Sequence, residues 1–267
     1  ISCNMFKNAA GNSGGGIYGC RSYNLQNVNS IFLANIAAIG GDVRSEHLGF
    51  ASNRNCTFLN NTADISGGAI YLQETNTTDI RASNFSHNVA QSMGAGIYIT
   101  SGKLLLIIVS NFNSNGAKYG SGFTVTKCNT VKTIKIVCNK NTARSEGGCV
   151  HNEEINKIYN ANNFYISNTA VHGGSIYFLS SFTEFINCTF IANSASWIGD
   201  GGAFLSIECE KVSMLFCRIM ENDAPYYGGG VCIQDGEKAI LKHMVFIKNK
   251  ASYGVQFLFF QLEKQSY

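Results

Sequence analysis

The chain has 267 residues, 45% of them hydrophobic and 14% charged, with a formal net charge of +3 and no basic run. That balance leaves no electrostatic footprint for nucleic acid or an anionic membrane. The longest aliphatic run, Leu104 to Val109, is far too short to span a bilayer. Ile1 opens the chain inside a repeat rather than at a start methionine, so we expect a single domain, residues 1–267, cut from a longer protein.

Read from the N-terminus, one pattern keeps returning: a large apolar residue, Asn three places on, Ala two places after that, then a glycine cluster and a short apolar run. The stretch Cys56 to Tyr71, CTFLNNTADISGGAIY, shows it most fully. Its Asn falls at Asn8, Asn35, Asn61, Asn88, Asn115, Asn141, Asn168, Asn193, Asn222 and Asn249, at spacings of 27, 26, 27, 27, 26, 27, 25, 29 and 27 residues. The apolar residue before it is Met5, Phe32, Phe58, Phe85, Phe112, Tyr165, Phe190, Ile219 or Phe246, with Cys138 as the exception. A fixed period of this size means a solenoid or a propeller.

The period also suits a leucine-rich repeat, but such a unit carries further leucines where this one opens with Gly-Gly and continues as GAIYL, AGIYIT or GSIYFL. Those are short β-type runs. The pattern predicts an all-β, right-handed parallel β-helix of about ten coils with three short strands per turn. Coils ~4.8 Å apart would make a rod of roughly 45–50 Å. Stacked Asn side chains are expected to form an amide ladder, with Asn also taking the left-handed backbone of a tight corner. The paired glycines supply positive φ or close approach at a second corner. The apolar residue nine places after Asn, such as Ile70 or Ile97, is expected to face the core. The single proline, Pro225, suits a sheet that needs its amide donors.

Beside that inward residue, Tyr18, Tyr71 and Tyr98 share a phase, and Tyr177 joins them in its shortened coil. They should point outward, either as a ladder that stabilises the sheet or as a face that binds sugars or a partner protein. Ten cysteines suggest an oxidising compartment. Cys3, Cys56, Cys188 and Cys217 lie five places before Asn, so Cys188 and Cys217 stack on adjacent coils as a disulfide or a buried thiol pair. Cys209 and Cys232 are a second candidate disulfide. Acceptors of the N-x-S/T form stand at Asn55, Asn60, Asn76, Asn84 and Asn187 and give weak support for a secreted glycoprotein.

No metalloprotease, phosphate-loop or nucleophile-elbow motif occurs, and no catalytic residue, metal or cofactor is assigned. The five histidines are expected at the surface or in caps. One acidic group stands out, Glu208 and Glu210 beside Asp235 and Glu237, with Lys211 and Lys238; it reads as a solvated loop before a cation or catalytic site.

FLNNTADISGGAIY (Phe58 to Tyr71) and FSHNVAQSMGAGIY (Phe85 to Tyr98) resemble the repeats of the polymorphic outer membrane protein (Pmp) family, a pectin-lyase-like β-helix. The resemblance covers essentially the whole chain, with degenerate units such as DVRSEHL after Gly41. It implies a non-enzymatic, extracellular or cell-surface passenger of adhesin type, binding a host-surface protein or glycan. Membrane attachment would come only from regions outside this segment. The rival expectation is a carbohydrate-active enzyme, a polysaccharide lyase or hydrolase, on the same fold.

Overall fold

The structure, a computed structural model, describes residues 2–260. Every ladder among the described strands is parallel, and no α-helix is present there. We number the coils one to ten by their ladder Asn. In coil three the chain runs through Thr57–Leu59, turns at Asn60, and continues as Thr62–Ser66. It then turns through Gly67-Gly68 into Ile70–Arg81, which bends at Glu74. The first of these strands stacks into a 10-stranded sheet and the second into a 7-stranded one. The third differs from the expected single strand. In most coils it is two strands meeting at a corner, such as Ile97–Thr100 and Leu104–Ile108, so the cross-section has four straight segments.

Side chains alternate across each strand, and one set fills the tube. Phe32, Phe58, Phe85 and Phe112 stack ring on ring, with centroids 4.7, 4.7 and 5.0 Å apart, and all are fully buried. Burying each ring contributes about 1.5–3 kcal/mol. Ile70 and Ile97 belong to the same core, and Val150 and Val231 continue their column in later coils.

The Asn residues form the polar counterpart. Asn61 donates its backbone N–H (3.0 Å) and its Nδ2 (3.1 Å) to Asn88 Oδ1, while Nδ2 also reaches Phe32 O at 3.1 Å. The same arrangement joins each coil to the next, from Asn8 to Asn249. Positive φ does not fall on these residues, contrary to expectation. It falls on the residue before each one, from Lys7 and Ala34 to Glu221 and Lys248, at 52° to 57°. The Asn is needed for its amide, and its neighbour turns the corner. At the glycine pair the two roles divide. Gly67 has φ +69°, whereas a Cβ on Gly68 would lie 2.4 Å from Ala95 O.

A second ladder was not anticipated. At the corner five residues before Asn, Cys56 N–H donates to Ser83 Oγ, and Ser83 N–H to Ser110 Oγ, each at 3.2 Å. Ser83 and Ser110 then donate to the carbonyl two residues back (2.9 and 3.0 Å). Cys56, Cys188 and Cys217 occupy the same column, and their thiols donate to the equivalent carbonyls at 3.4 to 3.5 Å.

That chemistry selects the buried-thiol reading for Cys188 and Cys217 and corrects the Cys209–Cys232 disulfide. Cys188 and Cys217 are buried free thiols in serine-like roles. Cys209 and Cys232 are free as well: Cys209 sits at a corner and bonds Ile207 O, while Cys232 packs outside against Tyr177 and Leu205. The disulfide lies within one coil and joins Cys138 to Cys149. Cys138 replaces the core phenylalanine of coil six, and Cys149 stands where neighbouring coils carry Gly122 and Ser175. A bridge therefore crosses the space that a ring fills in most other coils.

Candidate functional site

Strand register sets the outward column that contains the tyrosines. It runs Tyr18, Arg44, Tyr71, Tyr98, Thr124, His151, Tyr177, Leu205, Cys232 and Leu258. The four tyrosines share one column, but only Tyr71 and Tyr98 touch, edge to face at 5.1 Å. Arg44 separates Tyr18 from Tyr71 and lays its guanidinium 5.3 Å from the Tyr71 ring centre. It also pairs with Glu46.

The column changes character along the rod. Tyr18 is 55% exposed, Tyr71 and Tyr98 are half-buried, and Tyr177 is buried. Tyr177 belongs to an outer apolar cluster with Leu205 and Cys232, flanked by Tyr227 and Phe260. Its phenol pKa is pushed up by burial first and by Glu146 and Glu153 second. The Tyr71 phenol is also raised, chiefly by burial. Tyr177 is thus packed beneath its neighbours, and the accessible stretch is Tyr18, Arg44, Tyr71 and Tyr98.

His151 departs from the surface role expected for the histidines. It is buried between the rings of Tyr119 and Tyr177, at 5.5 and 5.1 Å, with Nε2 3.3 Å from Glu146. Arg44 and His151 were both legible in principle. Taking the phase one place earlier in the 26-residue coils, as the core residue already requires, brings Arg44 and Thr124 into line, and the unshifted phase gives His151.

The acidic group lies on another corner. Glu208 and Asp235 turn that corner in coils eight and nine, with φ of 53° and 52°. Lys211 lies over the ring of Phe182, 5.0 Å from its centre. Among the described residues, no three His, Cys, Asp or Glu side chains come close enough to hold a metal ion. Asp79, also out of phase in the sequence, is a buried carboxylate held by Arg54 and Arg81 at 2.7 Å each, which accounts for it structurally.

A tube of stacked coils, with an apolar interior and a side-chain face outside, defines a parallel β-helix of repeats. Residues 55–73 match the family model described as the Chlamydia polymorphic membrane protein (Chlamydia_PMP) repeat. Those residues carry the ladder Asn, the glycine turn and the start of the following strand of coil three. Residues 55–73 are thus similar to a Pmp repeat, and the other coils stack on that one in the same parallel geometry. No curated protein and no solved structure matches the chain.

Proposed function

We propose that the chain is a non-enzymatic, surface-exposed passenger segment that binds a host-surface protein or glycan, in the manner of an adhesin. The observation that carries this reading is the outward stretch Tyr18, Arg44, Tyr71 and Tyr98. Three tyrosine rings and a guanidinium there stand on a rigid sheet, outside the core. Aromatic and arginine side chains supply most of the binding energy in protein interfaces, and a preformed sheet loses little entropy on binding. The Pmp repeat supports a place at the cell surface, where the exposed Asn60 and Asn76 acceptors would be open to glycosylation.

Replacing Tyr71 and Tyr98 together by Ser should weaken attachment to host cells about tenfold or more, with the far-UV β signal unchanged. Full attachment by the double variant would move the site off this face. Release of reducing or unsaturated sugar ends from acidic polysaccharides, abolished by changing Glu208 or Asp235, would favour the enzyme instead.

A further inference from the structure

A solenoid keeps an even surface because every coil takes the same number of residues around each corner. One corner here breaks that rule. From the first residue of one outer strand to the first residue of the next there are seven positions in Ile70 to Thr77, Ile97 to Leu104, Phe123 to Thr130, Val150 to Lys157, Phe204 to Lys211 and Val231 to Lys238. From Ile176 to Phe182 there are six. The register holds on both sides, with Ile158 opposite Thr183 and Phe182 opposite Lys211. The missing residue therefore belongs to the corner at Ser180-Ser181.

The short corner leaves a notch between coils six and eight, walled by Asn156, Ser180, Phe182, Glu208 and Glu210. Ser181 forms its floor and is committed, accepting from Ile155 N–H at 3.3 Å and donating to Leu179 O at 3.0 Å. Asn156 uses Nδ2 on Asn129 Oδ1 at 2.9 Å, which leaves its own Oδ1 to accept. Two carboxylates and an amide oxygen suit O–H donors, the Ser180 hydroxyl can give or accept, and the half-buried Phe182 ring suits a C–H face. A uronate would be repelled by Glu208 and Glu210. A second ammonium would meet Lys211, already over the ring.

We propose that the notch at Ser180–Phe182 is a binding subsite for one neutral sugar residue. It lies on a different corner from the tyrosine column and stands whether or not that column binds anything. Hydroxyls of the sugar donate to Glu208 and Glu210, and its less polar face rests on the part of the Phe182 ring that Lys211 leaves uncovered.

Saturation-transfer NMR on the whole chain, with the methyl glycosides of glucose, galactose and mannose at millimolar concentration, tests this. Transfer to at least one glycoside is expected. It should vanish when one glycine inserted between Ser180 and Ser181 restores the usual corner, and Glu210→Gln should weaken binding about tenfold, as loss of a charge-assisted hydrogen bond does. The Tyr71→Ser, Tyr98→Ser double variant should bind the glycoside as before. If the insertion disturbs folding, Glu210→Gln and Ser180→Ala decide in its place. No transfer to any of the three glycosides would overturn the proposal. So would transfer that survives these notch changes, or transfer that is lost only with the tyrosines.

Discussion

At the scale of single residues, Asp42 is the clearest anomaly. It is fully buried in the column that elsewhere holds Ala69, Gly96 and Gly122; Asn35 Nδ2 donates to its Oδ1 at 3.2 Å, and Oδ2 has no hydrogen-bond partner. Burial pushes its pKa from 3.8 up to about 9. The folded chain thus holds a proton that the unfolded chain releases above pH ~4. The native state is favoured fully below that pH and loses the advantage as pH rises toward 9. At pH 7 the carboxyl costs roughly 4 kcal/mol relative to a group that never ionises, at ~1.4 kcal/mol per pH unit. Asp42→Asn should raise the melting temperature at pH 7 and flatten its fall between pH 4 and 9. Parallel pH profiles for the two proteins would sink this account.

The Asn ladder makes a second prediction at this scale. Asn115 accepts from Asn88 N–H and Nδ2 and donates to Asn141 Oδ1, all in the buried interior. Asn115→Leu leaves those donors without an acceptor, at about 1–3 kcal/mol for each unsatisfied group. Asn8 is exposed at the end of the stack, so Asn8→Leu should cost clearly less. Equal urea midpoints for the two variants would remove the ladder from the stability argument.

At the scale of one coil, Cys138 and Cys149 show what the repeat tolerates. Their bridge joins two walls of coil six across a separation of 11 residues, a closure worth about 3 kcal/mol on chain entropy. The paired change Cys138→Phe, Cys149→Gly would restore the usual ring and the usual glycine. Reductant should lower the melting temperature of the parent chain and leave that of the paired variant unchanged. A parent chain indifferent to reductant would show that the bridge adds no stability.

At the scale of the whole molecule, each coil touches chiefly its two neighbours, so stability accumulates along the rod and opening begins at its ends. Met5, Ile17, Phe246 and Phe257 are only partly buried, whereas Phe85 and Phe112 are fully enclosed. Amide hydrogen exchange should therefore be slowest around Asn84–Asn139 and faster in the first and last coils. Uniform protection along the chain would point instead to one all-or-none unit.

The fold was legible in the sequence because stacking places equivalent residues on one another, and every column repeats the same chemical demand. Period, core phenylalanines, Asn ladder and glycine turns are all periodic signals. The tyrosine column was legible as a phase, though not its content, because one-residue shifts in the shorter coils hid Arg44. The remaining features depend on where the chain bends within a coil. Which residue takes positive φ, and which strand splits in two, is set by the local path of the backbone around a filled core. Cysteine pairing follows the interior geometry as well. Cys188 and Cys217 share a phase but satisfy corner carbonyls, while Cys138 and Cys149 share none and meet across the tube. The notch at Ser180 appears in the sequence only as a coil two residues short. Assigning one of those residues to that corner required the register of the strands on both sides, which only the folded stack determines.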